Sequence, residues 1–176
     1  LLTARADGAG AAHLAECLGL EDAGVVREPE PRGDGQSVGD ELIAGDRDAL
    51  RPMVARKIHE VFGEPADVDA DGDLHFDLDG THTVVILGEG GMAVEAVARV
   101  VQGVYSRRNT AVEVDLLNRR RMWSTWYMLD RDVFQRLLIP ALPLAEENVA
   151  IMLRAFAVDL RRNRDELAYR VGGRVA

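Results

Sequence analysis

The spacing of apolar residues carries a clear period from residue 46 onward and little before it. Met53, Val54, Ile58, Val61 and Phe62 recur at intervals of three and four, which predicts an amphipathic helix capped by Asp46 or Asp48 and stopped by Gly63 and Pro65. The period then changes to two. Leu74, Phe76 and Leu78 alternate with Asp73, His75 and Asp77, and after Asp79-Gly80 the run Thr81 to Leu87 alternates again. An Asp-Gly pair between two such runs is a strong hairpin signal, because the tight turn needs positive φ at both central residues. A two-residue loop places Asp77 opposite His82 and puts Leu74, Phe76, Leu78, Thr83, Val85 and Leu87 on one face.

Gly88 to Gly91 ends the hairpin, and the β-branched run Met92 to Val104 predicts a third strand. Ala111, Val112, Val114, Leu116 and Leu117 mark a helix over Asn109 to Asn118, with Asn109 or Thr110 as cap. The aromatic run Met122 to Leu129 predicts a strand, linked by Asp130-Arg131-Asp132 to a fifth, Val133 to Ile139, closed by Pro140 and Pro143. Val149, Met152, Leu153, Phe156, Leu160 and Leu167 form one stripe of a long helix from Leu144 to about Arg170. Its Arg161, Arg162, Arg164 and Arg170 sit near the end, where the helix dipole favours cations. Residues 1–45 break both periods: a short helix fits Ala11 to Leu20, and Pro29, Pro31, Gly33, Gly35 and Gly39 make Arg27 to Glu41 a linker or long loop. The chain thus divides into an N-terminal extension, 1–45, and an α+β domain, 46–176. The order in the latter is helix, three antiparallel strands, helix, two strands, long C-terminal helix.

That order resembles the YbjN family, and specifically its actinobacterial branch, the TY-Chap domain grouped with type III secretion chaperones. DVDADGDLHFDLDG opens the first hairpin, LLN ends a helix before a strand, and LIPALPLAEENV introduces the long helix. The resemblance covers residues 46 to 171. It implies a class I secretion-chaperone-like fold, usually dimeric, acting as a peptide- or protein-binding module or regulator rather than an enzyme.

Composition narrows the partners. The 176 residues carry a net charge of −9, which disfavours non-specific binding to nucleic acid or anionic lipid. The charge is uneven: residues 1–90 hold 20 acids and 7 bases, residues 91–176 hold 10 acids and 14 bases. An acidic segment, residues 28 to 46, can therefore fold over the basic half. The lone Cys17 makes no internal disulfide, so a cytoplasmic location is expected. No apolar run is long enough to span a membrane, Leu1 begins no secretion signal, and the absent initiator Met points to a processed or truncated start.

Candidate chemistry is sparse. Asp67, Asp69, Asp71, Gly72 and Asp73 copy the start of an EF-hand calcium loop, but the twelfth position is Leu78 instead of Glu, and an acidic turn is the plainer explanation. His75, Asp77 and His82 share the polar face of the hairpin and match a zinc or iron ligand set in kind. The alternative there is a solvated cross-strand charge pair. His13 and Cys17 are one helical turn apart, and Ser37, Ser106 and Ser124 lie in no nucleophile elbow. Gly88-Glu89-Gly90-Gly91 lacks the Lys-Ser/Thr of a phosphate loop. No catalytic residue and no cofactor is expected.

Arg119, Arg120 and Arg121, with Arg107 and Arg108, can grip phosphates or an acidic partner, and Trp123, Trp126 and Tyr127 supply stacking surfaces of the kind RNA-binding sheets use. A solvated or internally paired cluster is the plainer reading. The strand Met122 to Leu129 stands out most. Trp123, Thr125, Tyr127 and Leu129 form one face and Met122, Ser124, Trp126 and Met128 the other, both largely apolar, so both need covering. One cover is the domain's own helices. The second is a partner, another copy of the chain, or the N-terminal segment. The expectation is a non-enzymatic peptide- or protein-binding module, a homodimer, using Met122, Trp123, Trp126 and Met128 with strand-edge pairing, and Arg119 to Arg121 for an acidic partner. A metal-binding enzyme or sensor at His75, Asp77 and His82, and an RNA-binding regulator, are the alternatives.

Overall fold

The computed structural model describes residues 47–119, 123–141 and 144–176. The expected Ala11 to Leu20 helix, the Arg27 to Glu41 linker, Asp46, Cys17 and His13 lie outside the described residues, as do Arg120, Arg121 and Met122.

Helix α1 spans Arg47–Phe62 and buries Leu50, Met53, Val54 and Ile58. Asp48 is not its cap: it lies inside the first turn and pairs with Arg51 at 2.8 Å. The hairpin follows as read from the sequence. Strands β2 (Leu74–Leu78) and β3 (Thr81–Leu87) pair with Asp77 opposite His82. Asp79 and Gly80 form the turn with φ of 53° and 82°, as the right-handed twist of the strands requires. A two-residue strand, β1 (Asp67–Val68), adds to the β2 edge; it is too short for any period to reveal.

Strand β4 (Ala93–Gln102) pairs with β3, and β6 (Asp132–Pro140) with β4. Strand β5 (Ser124–Leu129) lies outside β6. The sheet order is β1-β2-β3-β4-β6-β5, with β7 (Arg174–Val175) against the far end of β4. Helix α2 spans Arg107–Arg119 and starts two residues before the expected cap. Ser106 takes that role: its Oγ accepts the Asn109 N–H at 3.3 Å and its carbonyl accepts Thr110 Oγ1 at 2.8 Å. The polar pair Arg107-Arg108 hides this first turn from an apolar pattern.

Helix α3 (Glu146–Val171) packs against α1, β4 and β6, and ends at Gly172, whose φ of 64° suits a left-handed C-cap. Val149, Leu153, Phe156, Leu160 and Leu167 are buried as the stripe predicts. Its arginines do more than answer the dipole. Arg161 pairs with Asp79, and Arg164 Nη1 donates to the Asp79 carbonyl at 2.6 Å. These contacts fasten the hairpin turn to the middle of α3.

One face of the sheet carries the core. Register aligns Leu74, Val85, Ala96, Leu137 and Ser124 in one row, and Phe76, Thr83, Ala98, Gln135 and Trp126 in the next. All are buried, in a layer shared with the apolar sides of α1 and α3. The opposite face has no helix over it among the described residues.

Candidate functional site

Strand β5 decides which side chains can meet a partner, because its two faces have different covers. Ser124 and Trp126 point to the helices and are buried, and Met128 is half-buried against the core. Trp126, 1% exposed, donates its Nε1–H to Asp159 Oδ2 at 3.1 Å. Gln135 Nε2 donates to the same oxygen at 3.3 Å and to Ser124 Oγ at 3.0 Å. Asn163 Nδ2 donates to Asp159 Oδ1 at 3.0 Å. Trp126 is therefore a core residue joining β5 to α3, and in this fold it presents no surface to a partner. Hydrogen bonds from every side satisfy a carboxylate that would otherwise be costly to bury.

The remaining residues of β5 face away from the helices. Trp123, just before the strand, is 59% exposed and Leu129 60% exposed. Tyr127 stacks on Phe134 of β6 with ring centroids 5.4 Å apart. Burial pushes the Tyr127 phenol above its usual pKa, and the Glu95 charge adds to the shift. Register extends this surface across the sheet: Thr125, Arg136, Val97 and Val84 share one row, and Leu138, Glu95 and Ile86 the next. Leu138 and Ile86 are exposed, Val84 and Val97 half-buried. Arg136 Nε pairs with Glu95 Oε1 at 2.6 Å and Arg136 Nη2 with Glu95 Oε2 at 3.0 Å. The result is a largely apolar sheet surface with the Arg136–Glu95 ion pair near its middle. Alternation alone points to the β5 contribution. The share of β3, β4 and β6 shows in the sequence only as apolar residues in both phases of those strands, such as Val97 and Leu138.

The outer edge of β5 is not open along its length. Trp126 N–H donates to Asn118 Oδ1 at 2.7 Å, and Asn118 Nδ2 donates to the Trp126 carbonyl at 2.9 Å. The Asn118 amide thus stands where a neighbouring strand would pair, so pairing by an added strand at mid-β5 is blocked in this state. This gives a physical role to the Asn of the LLN segment.

Among the described residues the expected arginines do not gather. Arg119 is exposed and pairs with Asp115 at 2.7 Å. Arg107 and Arg108 lie at the other end of α2, about 18 Å away at 1.5 Å per residue. With Trp126 buried as well, the described residues form no joint basic and aromatic surface of the kind expected for RNA.

On the β2–β3 hairpin the two histidines meet. His75 Nδ1 and His82 Nε2 are 3.2 Å apart, with ring centroids at 5.2 Å. Asp77, the third expected member, turns elsewhere: its Oδ1 accepts the Gly80 N–H at 2.6 Å. Asp69 joins instead, its Oδ2 lying 2.8 Å from His75 Nε2. The His75 hydrogen bond, helped by the backbone N–H groups of Asp73 and Asp71, holds the Asp69 carboxyl below the usual range. Those N–H groups occupy Asp69 Oδ1, and Asp73 pairs with Arg47 at 2.7 Å, so the acidic stretch is a self-closed turn leading into a strand. Among the described residues no three His, Cys, Asp or Glu are grouped to hold a metal. No described helix is long and apolar enough to cross a membrane.

A sequence model of one family, TY-Chap1, described as T3SS (YopN, CesT) and YbjN peptide-binding chaperone 1, matches residues 48–176. Among solved structures, YbjN from E. coli superposes with a TM-score of 0.57 at 14% identity, covering 77% of this chain and 98% of that one. A chain of the HopA1–SchA chaperone–effector complex gives 0.54 at 8% identity, with 68% and 95% covered. A chain of the ExsC–ExsE complex gives 0.53 at 14%, with 71% and 95% covered. At these identities the likeness is one of fold. No curated protein sequence matches the chain.

Proposed function

The chain belongs to the TY-Chap1 family of T3SS (YopN, CesT) and YbjN peptide-binding chaperones, and from that membership we propose that it is a non-enzymatic module that holds a peptide or a segment of a partner protein on the helix-free face of its sheet. The observation that carries the proposal is the surface formed by Trp123, Tyr127, Leu129, Leu138 and Ile86, apolar in a domain that buries its other tryptophan, Trp126. Exposed apolar side chains gathered on one sheet face are a mark of interaction sites. Burying Trp and Leu supplies affinity, and the Glu95–Arg136 pair supplies a fixed polar feature that a bound segment has to match. Backbone pairing at mid-β5 is not part of the mode, because Asn118 holds that position.

The module acts in the cytoplasm as a homodimer. Val112 and Leu116, one turn apart on α2, are 57% and 39% exposed and are suited to a second copy. The basic run Arg119 to Arg121 attracts an acidic partner by charge.

The test is affinity capture from native lysate on the wild-type chain and on Leu138→Arg and Trp123→Ala, each first shown by circular dichroism to fold as wild type. A partner retained by the wild type and lost on both variants supports the proposal. Partners retained equally by all three refute the sheet-face site, and light scattering of the purified chain as a monomer refutes the dimer.

A further inference from the structure

The geometry points to a binding site for a divalent transition-metal ion between His75 and His82, independent of the partner-binding reading. Two imidazole nitrogens on one tetrahedral zinc, each about 2.0–2.1 Å from the metal, stand about 3.3–3.4 Å apart. His75 Nδ1 and His82 Nε2 are already 3.2 Å apart. The separation of the two nitrogens has to change by only a few tenths of an ångström, with the rings tilting to aim both lone pairs at the ion and the proton between them giving way to the tautomer of His82 protonated on Nδ1.

The surroundings favour that exchange. Asp69 Oδ2 faces the far nitrogen of His75 at 2.8 Å, and Asp69 is itself fixed by the Asp71 and Asp73 N–H groups at 3.0 and 2.9 Å. Accepting from Nε2–H, this carboxylate leaves the Nδ1 lone pair of neutral His75 aimed at His82. A carboxylate behind a ligating histidine is the usual means of orienting the ring and raising its basicity. His82 presents Nε2 when its proton rests on Nδ1. Asp67 stands directly across from His75, and Asp77 directly across from His82. Their negative charge lowers the cost of placing a divalent cation there. Two imidazoles select zinc, copper or nickel over calcium or magnesium, which prefer oxygen donors. With no third protein donor grouped at the site among the described residues, water completes the coordination, and the site is a two-nitrogen surface site, not a closed structural one. Its ligands come from the two paired strands of the hairpin, so a bound ion cross-links them.

Titration of the full chain with zinc chloride alone, followed calorimetrically at neutral pH, tests this. One ion per chain is expected to bind saturably, with affinity reduced at least about tenfold by His75→Ala or His82→Ala and about 10- to 100-fold by Asp69→Asn, the range seen when such second-layer carboxylates are removed. All three side chains are solvent-accessible, so the variants should keep wild-type circular dichroism. Absence of saturable uptake up to millimolar zinc, or uptake unchanged in both histidine variants, overturns the proposal. Copper loaded at one equivalent gives an independent readout: coupling to two imidazole nitrogens in its electron paramagnetic resonance spectrum supports the site, and coupling to none or one refutes it.

Discussion

The two tryptophans should respond in opposite ways to the same substitution. Trp126 is 1% exposed and Trp123 is 59% exposed. A buried tryptophan removes about 150–250 Å² from water, which at about 25 cal/mol per Å² is a transfer contribution of about 4–6 kcal/mol. Measured Trp→Ala costs in cores run to about 3–5 kcal/mol, in line with that figure. Trp126→Ala also withdraws the indole N–H from Asp159 Oδ2, leaving a buried carboxylate oxygen with one donor fewer. A loss of about 3–5 kcal/mol is therefore expected, a large part of the 5–15 kcal/mol typical of a domain. Trp123→Ala should change stability by no more than about 0.5 kcal/mol, as exposed substitutions do. Urea unfolding followed by far-ultraviolet circular dichroism measures both without depending on tryptophan emission. In Trp123→Phe, the remaining emission from Trp126 should be blue-shifted and shielded from acrylamide. A Trp126→Ala loss below about 1 kcal/mol, or a Trp123→Ala loss of equal size, would refute the assignment of one tryptophan to the core and the other to the surface.

Three further outcomes follow from the same contacts. Asn118→Ala deletes two hydrogen bonds to Trp126 at about 0.5–1.5 kcal/mol each, so thermal unfolding should move down by several degrees and the Trp126 amide should lose hydrogen-exchange protection; an unchanged exchange rate would show that Asn118 does not cap the edge. Asp79 has its pKa lowered first by the Arg161 hydrogen bond, so its contribution is present above the ordinary carboxylate pKa and lost as pH falls through the lowered folded value. Asp79→Asn tolerates the positive φ of the turn and should flatten the acid limb of a stability-against-pH curve, whereas an unaltered limb would remove the ion pair from the account. Leu138→Arg should leave the fold intact, by circular dichroism and urea midpoint, while abolishing partner capture; loss of folding would mean that this face is covered within the chain.

Much of the architecture was legible in sequence because its signals are local. The β2–β3 register, down to Asp77 opposite His82, follows from a period of two and an Asp-Gly turn, and both are properties of a dozen adjacent residues. The α3 stripe follows from a period of 3.6 sustained over about five turns. Strands β1 and β7 were missed because two residues hold no period; they exist only because β2 and β4 offer unpaired edges. The start of α2 was misplaced because Ser106 acts through hydrogen bonds and Arg107-Arg108 add no apolar mark. In sequence Arg161 and Arg164 look like dipole partners only, because nothing near them in the chain announces Asp79, 82 and 85 residues away.

The sheet surface around β5 divides in the same way. Local pattern is enough to show that the strand ending at Leu129 has two apolar faces, that the acidic hairpin carries two histidines on one side, and that the chain has the order of elements of its family. Which face of that strand meets the helices is settled by packing, so that Trp126 serves the core while Trp123, Tyr127 and Leu129 remain outside. Packing also replaced Asp77 by Asp69 beside His75, and set Asn118 across the β5 edge. The reason is physical: alternation states that two faces differ, but which of them is covered depends on where helices distant in sequence come to lie, and a hydrogen-bond partner is chosen by distance in space, to which periodicity is blind.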